Sequence, residues 1–182
     1  MLATIIIIAI VVILGIFLIT SYNSLVKYRN WVEESWSQID VQLKRRHDLI
    51  PNLVNTVKGY AKHEKETLEK VIQARNQLIS GTPQERIDAD NQIQRALKSI
   101  FALSESYPDL KANQNFLNLQ EELTTTENKV AYSRQLYNKT VAEYNIKRES
   151  FPTNIIASMF NFHKREQLTI PEEDRDVPNV RF

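Results

Sequence analysis

Residues 113–150 read NQNFLNLQEELTTTENKVAYSRQLYNKTVAEYNIKRES, and this stretch decides the fold. Phe116, Leu119, Leu123, Thr126, Val130, Ser133, Tyr137, Val141 and Tyr144 recur at steps of three and four. The mean step is about 3.5, the period of a coiled-coil-like helical seam and not of a strand. Upstream, Val32, Trp36, Ile39, Leu43, Ile50, Leu53 and Val57 repeat the spacing, with Arg46 filling the one skipped place. Beyond residue 26 the only glycines are Gly59 and Gly81, and no run sustains strand alternation. The fold class is all-α.

Punctuation sets the helix ends. Ser80-Gly81 closes one helix with a C-terminal glycine. Thr82-Pro83-Gln84-Glu85 opens the next, with Thr82 as cap, Pro83 in the first turn and Glu85 completing a capping box. Ser106-Tyr107-Pro108-Asp109 breaks the chain again, and Phe151-Pro152 ends the long last helix. Pro51 removes one backbone donor and predicts a kink in the first helix. Asn23–Lys58 and Asn113–Ser150 would be about 54 and 57 Å long as helices, so they can pair antiparallel along their seams. That favours an antiparallel up-and-down four-helix bundle, with shorter segments near 62–79 and 84–105. The alternative is three helices with a long kinked first one, if no break occurs near Gly59.

The amino-terminal stretch Leu2–Ile19 reads LATIIIIAIVVILGIFLI, and no charge appears before Lys27. Leu2–Ser21 as a helix covers roughly 30 Å, the thickness of a bilayer core. Its Leu, Ile, Val and Phe residues favour insertion by at most about 4–8 kcal/mol. A cleaved signal would need a basic leader and a small-residue cleavage site; the exit Leu18-Ile19-Thr20-Ser21-Tyr22 offers neither. An uncleaved, single-pass anchor over residues 1–26 is expected, followed by a helical bundle over 27–152 and a short apolar helix with a tail over 153–182. Tyr22 and Tyr28 suit an aromatic belt. Lys27 and Arg29 flank the span, so the positive-inside rule places the soluble domain in the cytoplasm, at a bacterial plasma membrane.

Composition removes whole classes of chemistry. The 182 residues include no cysteine, which excludes disulfides, thiolate nucleophiles and cysteine-ligated metals. The three glycines are too dispersed for a phosphate-cradling loop. Basic and acidic residues number 23 and 22, so no basic field for nucleic acid exists. His63-Glu64-Lys65-Glu66-Thr67 starts like a zinc-protease helix, but Thr67 stands where the second histidine ligand is needed. No catalytic residue, metal, cofactor or small-molecule substrate is expected.

Two groups of residues are candidate sites. Arg46, Glu64, Arg75, Glu127 and Arg134 fall on or beside the seams; they could bind an anion or act as a proton-linked switch. Pairing across the bundle to fix register is the favoured reading, because a buried unpaired charge costs several kcal/mol. Ile155, Ile156, Met159, Phe160 and Phe162 form a candidate interaction patch, too short to cross a bilayer. The patch could pack on its own bundle end, seal a subunit contact or rest on the membrane. The tail, polar over 172–176, leaves Val177, Val180 and Phe182 able to dock.

The stretch Trp36-Ser37-Gln38-Ile39-Asp40-Val41-Gln42-Leu43-Lys44-Arg45-Arg46-His47-Asp48-Leu49-Ile50-Pro51-Asn52-Leu53-Val54 resembles the signature of the LemA family of bacterial membrane proteins. Val57–Glu64, Tyr107–Asn113, Thr126-Glu127-Asn128, Arg134, Tyr137-Asn138, Tyr144-Asn145, Phe151–Asn154 and Val177–Phe182 are also similar to the family's pattern. The sequence departs at Asn161-Phe162-His163-Lys164, where family members more often carry a glycine before the phenylalanine. The resemblance implies one amino-terminal anchor, an antiparallel four-helix bundle and no established enzymatic activity. It also implies an association with membrane organisation, magnetosome membranes included; some relatives look like outward-facing lipoproteins. The expected function is a non-enzymatic, membrane-anchored helical scaffold or interaction protein that self-associates as a homo-oligomer. Its partners would be the lipid bilayer and other membrane proteins. The alternative is an accessory subunit that modulates a membrane protease or transporter.

Overall fold

A computed structural model of the chain describes residues 1–60 and 65–169. Among them there is no strand. The helices are α1 (Leu2–Tyr60), α2 (Lys65–Arg75), α3 (Pro83–Leu103), α4 (Pro108–Lys111), α5 (Gln114–Glu149) and α6 (Thr153–Met159). Short 3₁₀ turns, Asn76–Leu78 and Ser104–Ser106, follow α2 and α3. α1 runs through Pro51 without interruption. The described residues form two compact units, 1–37 with 135–167, and 38–60 and 65–134 with 168–169.

The second unit is built on the seams. Ile39, Leu43, Ile50, Leu53 and Val57 of α1 are buried, as are Leu68, Val71 and Ala74 of α2 and Ile87, Ile93, Leu97 and Ile100 of α3. Phe116, Leu123, Thr126 and Val130 complete the core from α5, and Leu119 is only half-buried. Hydrogen bonds give the directions. Arg75 Nε donates to the His47 carbonyl at 2.8 Å, so α2 runs back along α1. Arg86 pairs with Asp40 and Arg46 with Asp90, so α3 runs the same way as α1. Asn113 Nδ2 donates to Tyr60 Oη at 3.0 Å while Arg46 reaches Thr126, so α5 runs against α1. The segments therefore alternate in direction, as in an up-and-down bundle.

Capping residues define where these helices begin. The Asn113 carboxamide accepts from the Phe116 amide at 3.0 Å and starts α5. At α3 the Thr82 hydroxyl accepts from the Glu85 amide at 3.3 Å, and the Thr82 amide donates to Glu85 Oε2 at 2.7 Å. Those bonds, from the Thr82 backbone and then its hydroxyl, hold the Glu85 carboxyl below its ordinary range. A lowered folded value means that the contribution is present above the unfolded value and lost as pH falls through the folded one. Gly81 sits at φ +95°, and a Cβ there would lie 2.7 Å from Glu85 Oε2. Gly81→Ala should therefore cost about 1–2 kcal/mol from the left-handed backbone, with the capping box disturbed as well. A urea melt should show the midpoint falling with an unchanged slope.

In the first unit, α1 and α5 meet through Ser35 and Thr140, whose hydroxyls are 2.8 Å apart, and through the Trp36 and Tyr137 rings. Val32, Val141 and Tyr144 are buried there. After α6 the chain reverses. Asn161 has φ 55°, the Phe162 amide donates to the Ala157 carbonyl at 2.9 Å, and the Asn161 amide donates to Ser158 at 3.4 Å. This pair of bonds is a Schellman motif, whose left-handed residue is most often glycine and sometimes asparagine. Asn161 thus sits at the one position of the turn where asparagine is the tolerated substitute for glycine. Asn161→Gly should raise stability by up to about 1 kcal/mol and Asn161→Val should lower it by about as much or more, in thermal melts.

Past the turn, residues 162–167 run back along α5 as an extended strap. Arg148 Nε donates to the Phe162 carbonyl at 2.7 Å and Tyr144 Oη to the His163 carbonyl at 2.8 Å. The Asn145 carboxamide donates to the Arg165 carbonyl at 2.8 Å and accepts from its amide at 3.1 Å. Gln167 Nε2 donates to the Asn138 carbonyl at 3.0 Å. Burial raises the Tyr137 and Tyr144 hydroxyls above the usual phenol value, against the pull of nearby arginines.

Candidate functional site

The polar residues on the second unit's seams converge on Arg46, which fills the apolar stripe's missing position. Its Nη1 donates to Asp90 Oδ1 at 2.6 Å, Nε to Thr126 Oγ1 at 3.3 Å and Nη2 to the Leu123 carbonyl at 3.3 Å. Arg46 is 0% exposed and Asp90 3%. The pair is enclosed by Leu43 and Ile50 of α1 and Ile87 and Ile93 of α3, one turn to either side along each helix. Burial pushes the Asp90 carboxyl above its ordinary value, Arg46 and more distant Arg134 pull it down, and Glu127 adds to the upward push. Desolvation outweighs attraction here, as is common for an enclosed ion pair.

The remaining seam candidates take other partners. Glu127 accepts from Gln94 Nε2, and Arg134 Nη1 donates to Asn91 Oδ1 at 3.2 Å, both across the α3–α5 interface. Arg75 is spent on the His47 carbonyl. Glu64 and His63 lie outside the described residues. Asp90 is the functional residue that charge-based reading of the seams overlooks. Its signal is present in α3, where Ile87, Asp90, Ile93, Leu97 and Ile100 share one helical stripe.

The candidate patch in the first unit divides in two. Ile156 and Phe162 are buried, whereas Ile155, Met159 and Phe160 are exposed. Adjacent residues lie about 100° apart on a helix, and α6 is turned so that Ile156 faces inward and Ile155 outward. The Schellman turn then carries Phe162 inward, beneath the Arg29 guanidinium at 5.4 Å from its ring. The five residues are therefore not one exposed surface. Tyr22 meets Phe160 and Phe162 edge to face, with ring centres at 4.9 and 5.7 Å. Tyr28 packs on Trp31, which also lies under the Lys27 ammonium at 4.7 Å.

A groove of about 620 Å³ opens beside this corner, lined by Phe17, Thr20 and Ser24 of α1 and by Lys147, Phe151 and Pro152. The amino-terminal part of α1 contains an 18-residue window with mean hydropathy 3.4, and none of its residues is buried. By length and composition it is long and apolar enough to cross a membrane.

Residues 35–182 match the LemA family. The chain is similar to Protein LemA of Metamycoplasma hominis, with 27% identity over 164 residues that cover 87% of this chain and 75% of that protein. It is also similar to a magnetosome protein MamQ of Magnetospirillum gryphiswaldense, with 23% identity over 82% of this chain and 65% of the relative. A MamQ of Paramagnetospirillum magneticum is 22% identical over the same shares. The chain thus spans just under two thirds of the magnetosome proteins' length. The matched region holds the Arg46 cluster, the α5 seam and the α6 corner alike, and the chain belongs to the LemA family.

Proposed function

We propose that the protein is a non-enzymatic, membrane-anchored helical scaffold that self-associates and engages other membrane proteins. The observation that carries this reading is the unburied apolar window of α1. Such a surface has no favourable place in water and an obvious one in lipid. The similarity to magnetosome proteins supports a role in organising membranes. The buried chemistry supports a structural role: Asp90, the carboxyl most enclosed, is already engaged by Arg46 and leaves no room for a substrate. Scaffolding through several weak contacts needs no deep pocket, since multivalency supplies the avidity.

Lys27 and Arg29 follow the span directly, so the bundle lies on the cytoplasmic side of the plasma membrane in this reading. Protease added to intact cells should then spare residues 27–182, and protease added to inverted vesicles should remove them. Crosslinking and sizing in mild detergent test the scaffold role. Discrete oligomers are expected, and a monomer that captures no membrane partner defeats the proposal.

A further inference from the structure

The α5–α6 corner presents a second apolar surface beside the span. Phe151 is 81% exposed, Met159 64% and Ile155 51%. Ile155 and Met159 stand four residues apart and share one face of α6, and Phe151 lies exposed in the turn that precedes it. The opposite face of α6 is already used: Thr153, Ile156 and Ala157 are buried within the unit. The exposed surface is therefore not a loosely packed core but a face left over after α6 has docked.

Its height is fixed by its neighbours. Phe151 and Pro152 line the same groove as Phe17 and Thr20 of α1, and Phe160 packs on Tyr22. If Leu2–Ser21 spans the hydrocarbon, residues 17–22 lie where acyl chains give way to headgroups. Groups packed beside them share that depth. Lys147, with Glu143 as its acidic neighbour, lines the groove on the α5 side, and a long amine there can reach phosphate while its stem stays apolar.

We propose that Phe151, Ile155, Met159 and Phe160 seat the α5–α6 corner in the headgroup layer of the same bilayer that α1 crosses. The protein then holds the membrane twice, by a span and by an interfacial corner. The inference rests on the reading of α1 as a membrane span.

The cysteine-free chain allows a direct test with single cysteines carrying an environment-sensitive fluorophore. Full-length Phe151→Cys, Ile155→Cys and Met159→Cys proteins are reconstituted in phosphatidylcholine–phosphatidylglycerol vesicles. A share of the lipid carries a spin label near the top of its acyl chains. Exposed Glu34→Cys, farther along α1 in the same unit, is the aqueous reference, and Ile10→Cys reports the span. Emission from 151, 155 and 159 should fall about twofold or more while that from 34 holds, the behaviour of an interfacial segment. Ile10 should respond most to a label deep in the chain. Quenching at 10 without quenching at 151, 155 and 159 overturns the corner while leaving the span intact. No quenching at 10 overturns the span, and the corner with it. A blue shift at 151, 155 and 159 that ignores the spin label and fades as protein is diluted in lipid means that a second copy covers the face, which also overturns the proposal.

Discussion

Asp90→Leu alone should destabilise the protein by about 3–5 kcal/mol, because it strands the Arg46 guanidinium in a core with 0% exposure. Arg46→Met alone should cost a similar amount by stranding the carboxylate. The double variant Arg46→Met/Asp90→Leu should return to within about 1 kcal/mol of the parent, or exceed it, since apolar groups of similar volume carry no desolvation cost. The upward push on the Asp90 carboxyl points the same way: losing water costs that group more than Arg46 gives back. A raised folded value also fixes the pH dependence. The carboxyl's own titration favours the fold below its unfolded value, and that contribution is lost as pH rises through the folded one. Urea unfolding of all four proteins gives the coupling directly as a double-mutant cycle. Single variants that each cost less than about 1 kcal/mol would show that Arg46 is not held as described.

What the pair contributes is position. Leu43, Ile50, Ile87 and Ile93 would pack acceptably if α3 slid one turn along α1, and the buried Arg46–Asp90 contact, with Arg86–Asp40 nearer the surface, distinguishes the two alignments. Thr126 and the Leu123 carbonyl extend the same choice to α5, so one guanidinium touches three helices and helps to hold them in register. The double variant should therefore keep its helix content and lose uniqueness, visible as broadened amide resonances.

Ile8→Asp/Val12→Asp should release the protein from the membrane fraction that survives alkaline carbonate. Each aspartate near the middle of the span costs about 2.5–3.5 kcal/mol and forfeits a few tenths more in lost apolar transfer. Two of them remove about 6–8 kcal/mol, which matches or exceeds the whole favourable insertion term of at most about 4–8 kcal/mol. Neither position touches the core, so the helical spectrum of the remaining chain should persist. Retention of the double variant in the pellet would show that some other part of the protein binds lipid strongly, and the α5–α6 corner would be the first place to look.

The seams were legible because burial on a helix follows period alone. Of the nine α5 positions picked out by spacing, every one but Leu119 is buried. Arg46 was equally legible, since a charge at the skipped place of an apolar stripe has nowhere to go but inward. The capping box at Thr82 and Glu85 could be read because both partners lie within one turn. Asp90 was harder: the stripe of α3 is interrupted by the very residue that matters. Neutral amides such as Asn91 and Gln94, which meet Arg134 and Glu127, leave no mark in a reading guided by charge. The division of Ile155 from Ile156 could not be read at all. Both are isoleucine, and which one is covered depends on the rotation at which the Pro152 corner delivers α6 to its neighbours.

From its buried Phe162 to Gln167 the strap after α6 is gripped through its carbonyls and amides: Tyr144, Asn145 and Arg148 reach the main chain of residues 162, 163 and 165. Recognition of that kind is blind to identity. The exposed side chains of His163 and Glu166 can therefore change without disturbing the path of the chain. The rim thus keeps a fixed course while part of its lettering stays open to change.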